Sequence, residues 1–333
     1  MGAHKTGSSA LQVAFARNRE QLAARGILYP RWENDEVVLA GGVDSGNGLP
    51  LAWFLVPSMA PRGRDVASEL DRALATLDDE ADSVLYSSEF LYRFDDDRWG
   101  QLVERVAAHG RSLRAVVYVR DISGHALSMY GQQVKRGLYT GTFSAFIDPS
   151  RGDYSPGFAR PIERLVRTVG RHAVVVVHYD SVRESIFRHW CGCILEVEPD
   201  SSWDLDLVEG VVNRSLTVLE LRLMRSLNGR LAGKSEARRV SDALIACTPL
   251  TGEAPRLSEA DSKALHERFD EEVRRVNELG TVGGPLRVLA EEVRISSDDQ
   301  DDVPMTAGEQ SLVDLIAHLV NPLAPRDPPR PAP

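Results

Sequence analysis

Along this chain, short unbroken apolar runs alternate with stretches whose apolar positions return every three or four residues. Ala115–Val119 reads Ala-Val-Val-Tyr-Val and Ala173–Val177 reads Ala-Val-Val-Val-Val. Neither shows the in-out alternation of a half-solvated strand, so both suit strands buried on two faces of a parallel sheet. The pattern predicts strands over Ser83–Ser87, Arg114–Val119 and Ala173–His178. It predicts helices over Arg98–Ala108, Gly124–Lys135, Pro161–Val169 and Val182–Leu195. This succession predicts an α/β fold, a three-layer sandwich with a central parallel sheet between helices.

Ahead of these elements, Ala10, Leu11, Ala14, Phe15, Leu22 and Ala23 recur at helical spacing from Ser8 to a stop at Gly26. From Thr217 the pattern becomes helical again, through Leu219, Leu221, Leu223, Met224, Leu227 and Leu231 and then Ala260–Leu279, which predicts a helical C-terminal extension. Gly41–Pro50 and Gly137–Gly157 are rich in turn formers and are expected as loops or broken helices over the open edge of the sheet. One α/β domain is expected over 1–297. Residues 298–333 are expected to form an acidic linker at Asp298–Asp302, a short helix and a disordered Pro-rich tail.

Composition narrows the function classes. The chain has 333 residues, 43% of them apolar, enough for a sizeable core. A formal charge of −10 argues against nucleic acid or an anionic membrane as a whole-surface partner, while leaving room for one local basic pocket. The three cysteines, Cys191, Cys193 and Cys247, lack both a disulfide framework's numbers and a zinc site's spacing, and are expected as buried thiols. No signal segment and no run of about 20 apolar residues is present, so a cytoplasmic protein without a membrane span is expected.

The candidate chemistry begins at residue 1. Met-Gly-Ala-His-Lys-Thr-Gly-Ser-Ser places a lysine, a glycine and three hydroxyls directly before a predicted helix. N–H groups of such a turn and of the helix's first turn converge on an anion, the helix dipole adds partial positive charge, and Lys5 adds a full one. An ordinary helix start with a serine cap and a solvated lysine would read the same way. Gly2 and Gly7 have the glycine spacing of the nucleotide-triphosphatase P-loop, yet that motif needs its lysine after the second glycine, and Lys5 precedes it.

The run Ala3–Gln12 resembles the opening loop of sulfotransferases that use 3′-phosphoadenosine-5′-phosphosulfate, especially their bacterial carbohydrate-type branch. The likeness continues at Asn18-Arg19, Gly26–Pro30, Ser87–Phe90, Val117–Arg120 with Ser128, His178–Asp180 and Asn213–Leu216, covering the chain to about residue 230. In this family the loop follows a buried strand, as phosphate loops in α/β sheets do. Only Met1–Ala3 precede His4, so the chain is expected to begin downstream of the natural start.

The resemblance implies a sulfuryl transfer from that cosubstrate to a hydroxyl or amine of a carbohydrate, glycolipid or secondary metabolite, with no metal required. Lys5, Thr6, Gly7, Ser8 and Ser9 would cradle the leaving 5′-phosphate, with Lys5 near the bridging oxygen. Arg120, at the carboxyl end of a predicted strand, and Ser128 would read the 3′-phosphate; a salt bridge from Arg120 to Asp121 or another surface acid is the structural alternative. Glu89 would be the general base, with His4 and His125 as rivals; Glu89 could instead cap the next turn or pair with Arg93. Asn47, Tyr92, Tyr130, Gln133, Lys135 and Arg136 are placed around an acceptor cleft shaped by loops near 41–60 and 137–157. Lys135 and Arg136 also fit a solvated helix end. A P-loop kinase or nucleotide-triphosphatase, and an inactive nucleotide-binding relative, remain the alternatives.

Overall fold

A computed structural model describes residues 6–39, 45–78, 81–92, 96–196, 203, 214–249, 253–291, 293–296 and 305–321. The chain divides into two compact units. The first comprises residues up to His125, Pro156–Val212 and His266–Ala290; the second comprises Ala126–Ser155, Asn213–Leu265 and Glu291 onward.

The strands are β1 (Ile27–Leu28), β2 (Ser83–Val84), β3 (Ala115–Val119), β4 (Val174–His178), β5 (Leu257–Ser258), β6 (Thr281–Val282) and β7 (Ile295–Ser296). The helices that cover them or build the second unit are α1 (Ser8–Arg17), α2 (Val66–Ala75), α3 (Asp96–Ala108), α4 (Ile122–Arg136), α5 (Ala159–Val169), α6 (Ile186–Trp190), α7 (Val218–Asn228), α8 (Lys234–Ala246), α9 (Glu259–Glu278) and α10 (Ala307–Val320).

In the first unit, β1 pairs with β2, and β3, β4 and β6 form a second sheet in that order; every pairing is parallel. The unbroken apolar runs explain the β3–β4 ladder. Its register sets Tyr118 opposite Val177, and these two pack into one core with Leu11, Phe15, Ile186 and Trp190. The pleat turns Val117, Val119 and Val176 to the other face, where they are equally buried and where α5 packs on β4 and α3. Phe15 is the centre of the first face, with ring centroids 4.6 Å from Trp190, 5.4 Å from Tyr29 and 5.8 Å from Phe187. The expected α/β class is what forms: helices on both faces of parallel strands.

Several elements depart from the periodicity. The helix expected from Ser8 to Gly26 ends at Arg17, because Asn18 gives both its backbone N–H and its side-chain Nδ2 to the Ala14 carbonyl, at 3.0 and 2.9 Å, and a second short helix follows over Arg19–Ala23. The strand expected over Ser83–Ser87 pairs only at Ser83–Val84. The helix expected over Val182–Leu195 keeps α6 and widens into a π turn at Cys191–Leu195. Helix α4 starts at Ile122, two residues ahead of the expected Gly124. The turn-rich segments hold short helices at Leu49–Leu55 and Phe143–Ile147.

In the second unit, α7 packs against α8 and α10, and β5 pairs with β7. Thr217 and Glu220 form a capping box at the start of α7. Arg214 grips the fully buried Glu220 through both Nη atoms, at 2.7 and 2.8 Å, and also reaches the carbonyls that end α8 at Leu244 and Ile245. The stretch Arg214–Leu216, matched by resemblance, thus serves the architecture by stapling one helix start to another helix end. No helix among the described residues is long and apolar enough to cross a membrane.

Candidate functional site

The site is assembled where the strands of the first unit end. Thr6 is buried, and Gly7 is the N-cap of α1 at φ 74° and ψ 15°, a left-handed conformation that an L side chain adopts only under strain. A Cβ at position 7 would stand 2.7 Å from Cε2 of Tyr179 and 3.0 Å from Cδ1 of Ile186. Both backbone conformation and space therefore demand glycine. The serine cap considered from the sequence is not formed; no side chain caps α1, and Ser8 and Ser9 lie in its first turn. Gly7, having no side chain, leaves the first N–H groups of this ten-residue helix without an N-cap side-chain acceptor.

Arg120 follows β3 directly. Its Nε donates to Asp180 Oδ1 at 2.8 Å, and its guanidinium lies 5.5 Å over the ring of Tyr179. Tyr179 therefore touches the Gly7 turn and Arg120 at once, joining two segments that are 113 positions apart. Neither Nη atom of Arg120 makes a hydrogen bond to a described residue, so the fork of the guanidinium is unengaged among them. A Cβ at Gly124 would meet Nε, Nη2 and Cζ of Arg120 at 3.1–3.4 Å; that glycine gives the guanidinium its place over the first turn of α4.

The partner of Arg120 is thus Asp180, a mostly buried acid rather than Asp121 or a surface acid. Asp180 Oδ2 accepts the N–H of Asp121 at 2.9 Å, and Asp121 Oδ1 accepts the N–H of Arg287 at 2.7 Å. Burial pushes the Asp180 carboxyl above the usual carboxylate range, and the Arg120 charge opposes that rise. Burial likewise raises the Tyr179 phenol, again against Arg120.

Glu89 opens a short 3-10 turn over Glu89–Tyr92 and is half-buried. The residue that caps this turn is Ser88, whose Oγ accepts the N–H of Phe90 at 3.2 Å. Ser87 and Ser88 share with Thr6 and Ser8 the wall of one cavity of about 180 Å3, so the segment that carries Glu89 reaches the neighbourhood of the turn. Arg93, considered as a partner for Glu89, lies outside the described residues, as do His4, Lys5 and Asn213.

Other candidates are spent on structure. Asn47 donates Nδ2 to the carbonyls of Leu85 and Pro30 and accepts the N–H of Ser87 with Oδ1, which holds the end of β2. Tyr92 gives its hydroxyl to the Phe158 carbonyl, and burial drives its phenol well above the usual value. Tyr130 is core, edge-on to Tyr139 and Phe143. Lys135 is buried rather than solvated, and Arg136 is engaged by Asp242 and Ser241. His125 packs edge-on against Phe158 at 5.1 Å. Ser128 is half-buried in α4, in the part of that helix that belongs to the second unit.

The sequence resemblance takes in His178–Asp180 without giving these residues a role. The signal lies in the pairing of the strands: the β3–β4 register sets Val119 opposite His178, so residues just beyond each strand end are neighbours. That register also gathers Asp121, His178 and Asp180, whose ligand-type atoms lie within 4.8 Å of one another. His178 Nε2 is 3.1 Å from Asp121 Oδ1 in a contact that lacks hydrogen-bond geometry. Both carboxylates already accept N–H donors, and a guanidinium neutralises Asp180, so the cluster as it stands locks two strand ends together.

No protein-family model and no curated protein matches the chain. Among solved structures, a sulfotransferase from Alicyclobacillus acidocaldarius is similar to it, matched over 74% of this chain and 94% of its own, at 18% identity and a TM-score of 0.38.

Proposed function

We propose that the chain is a sulfotransferase that moves a sulfuryl group from 3′-phosphoadenosine-5′-phosphosulfate to a hydroxyl or amine of a carbohydrate, glycolipid or secondary metabolite. The observation that carries this reading is the meeting of the Gly7 turn and Arg120 on Tyr179, with both Nη atoms of the arginine unengaged among the described residues. A doubly phosphorylated adenosine asks for two separated anion sites. The uncapped start of α1, with Thr6, Gly7, Ser8, Ser9 and the charge of Lys5, supplies one for the 5′-phosphate. Arg120 supplies the other, because a planar fork grips phosphate bidentately while Nε stays on Asp180.

In the reaction, the acceptor oxygen or nitrogen attacks sulfur opposite the bridging oxygen. The S–O bond to the 5′-phosphate breaks, and the electron pair stays on that phosphate. Lys5 and the turn's N–H groups stabilise the charge that grows there; one such preorganised donor contributes about 3 kcal/mol. Glu89 takes the acceptor's proton, with His4 as its rival. Acceptor, sulfur and leaving group need only alignment and charge, so the residues named suffice without a metal ion.

A kinase or nucleotide-triphosphatase reading draws on one observation, the carboxylates Asp121 and Asp180 at strand ends, where a magnesium-holding acid would stand. Titration calorimetry separates the two. 3′-Phosphoadenosine-5′-phosphate is expected to bind with chelator present, at least tenfold more tightly than ATP with magnesium. Tighter ATP binding that requires magnesium would overturn the sulfotransferase reading in favour of phosphoryl transfer.

A further inference from the structure

Helix α5 carries a charge pattern that its own stability does not ask for. Arg160, Arg164 and Arg167 stand at i, i+4 and i+7, within an arc of about 60° on one face and along about 10 Å of the axis. Ile162 and Leu165, on the opposite face, are fully buried, so the arginines lie on the side turned away from the core. Arg160 and Arg167 are exposed and make no hydrogen bond or ion pair with a described residue. Between residues 159 and 173 four arginines stand against one acid, Glu163, in a chain whose formal charge is −10. Like charges at these spacings repel. A cation in the first turn, where Arg160 sits, also opposes the helix dipole, and no acid stands there to offset it. Only Arg167, in the last turn, suits that dipole.

The acids beside this row are already engaged. α9 lies alongside α5, with Glu272 Oε1 accepting the Ala159 N–H at 2.8 Å. Arg275 takes Glu163, the one acid of α5, and Arg274 takes Glu271 and Glu278. Arg171, in the turn after α5, extends the charge while its Nη atoms rest on the Val174 and Leu279 carbonyls. The row also has a direction. Tyr92, in the turn that Glu89 opens, donates its hydroxyl to the Phe158 carbonyl at 3.2 Å, so α5 starts beside the candidate site. The helix ends at Val169 and the turn 170–173 leads straight into β4, whose far end is His178. α5 therefore runs from the site edge of the sheet back to the opposite edge, with its arginines along the outside.

We propose that the arginine face of α5 is a docking track for a linear anionic polysaccharide. A row one helix wide suits a single thread. An anionic membrane would also have to approach Glu267, Asp270, Glu271 and Glu278, which stand exposed on the neighbouring α9. Single-stranded nucleic acid is held largely by stacking its bases on aromatic rings, and no aromatic residue among the described ones is exposed. The carboxylates or sulfates of a polysaccharide need only guanidinium groups, which hydrogen-bond such anions two at a time. Anions bound there also relieve the repulsion along α5, so the strain in the free helix favours the complex. This surface acts through charge alone and does not depend on the nucleotide reading.

Titration calorimetry of the full chain with dextran sulfate and with polygalacturonate, and with neutral dextran as blank, tests the track. The parent is expected to bind both anionic polymers, more weakly as salt rises from about 50 to about 300 mM, and to ignore dextran. Arg160→Gln combined with Arg167→Gln should weaken both by at least about tenfold. The same pair should leave Tm unchanged or raise it by about 1 °C, because it removes repulsion within the helix. Lys234→Gln combined with Arg239→Gln, which takes the same charge from exposed positions of α8, should change affinity by less than about twofold. No binding by the parent, equal losses in the two double variants, or a fall in Tm of about 3 °C or more in the α5 variant would overturn the proposal. Tighter binding of a single-stranded oligonucleotide or of phosphatidylglycerol vesicles, lost in the α5 variant, would overturn the choice of a polysaccharide.

Discussion

Arg120→Ala weakens binding of 3′-phosphoadenosine-5′-phosphate by about 100-fold, the loss expected for a bidentate charge-assisted grip worth about 3 kcal/mol. The same change exposes what Arg120 does in the empty protein. Its Nε holds Asp180, an acid whose carboxyl burial already pushes above the usual range. Without the guanidinium, the Asp121 N–H is the main remaining group opposing burial, and the carboxyl rises further. A raised carboxyl means that the native state holds the proton more tightly than the unfolded chain, so the cost is absent where both states are protonated and grows as pH rises. Below about pH 4 the variant and the parent should therefore differ little in stability. By pH 7 the gap should approach about 3 kcal/mol, the usual consequence of stripping one partner from a buried pair. Urea unfolding across this range measures it, and a gap that is flat or shrinks with pH would mean that Asp180 is stabilised by other groups. Asp180→Asn in the Arg120→Ala background should remove the pH dependence.

Glu89→Gln lowers turnover by about 100-fold or more while leaving the affinity for 3′-phosphoadenosine-5′-phosphate within about twofold. General base catalysis is worth about 10²–10⁴, and the amide keeps the shape of the side chain while losing its ability to take a proton. The segment carrying Glu89 reaches the neighbourhood of the turn through Ser87 and Ser88, and the proposed function gives Glu89 to neither anion site. Turnover and nucleotide affinity therefore separate. Full activity in Glu89→Gln would move the proton transfer to another group, and His4→Gln is the next variant to measure. A parallel loss of nucleotide affinity would instead give Glu89 a positioning role.

The fold class is legible in the sequence because it is written in repeated local signals. Five consecutive apolar residues at Ala115–Val119 and a matching run at Val174–Val177 fit only strands covered on both faces, and they are. Element ends are harder to read, because single side chains decide them. Asn18 closes α1 with two bonds to one carbonyl, which hydrophobic periodicity cannot register.

In the candidate site, the residue types of the turn and the strand-end position of Arg120 can be read directly, since a glycine before a helix and an arginine after an apolar run each carry a local mechanism. Tyr179 and Asp180 escape such a reading because their importance arises from the β3–β4 register, a pairing across 59 positions that no local pattern encodes. Lys135, Asn47 and Tyr130 show the opposite error. Polar or aromatic residues near a presumed cleft look available in the sequence, whereas packing assigns each of them a structural partner or a buried place.

At the heart of the proposed function, two anion sites joined through Tyr179 hold the two phosphates of one nucleotide. The sharpest test compares dissociation constants for 3′-phosphoadenosine-5′-phosphate and adenosine 5′-phosphate in the parent and in Arg120→Lys, a change that keeps a cation for Asp180 and removes the fork. The parent should prefer the doubly phosphorylated ligand by about 100-fold, and Arg120→Lys should cut that preference at least tenfold while binding adenosine 5′-phosphate as before. An unchanged preference in Arg120→Lys, or equal weakening of both ligands, would contradict the two-site grip.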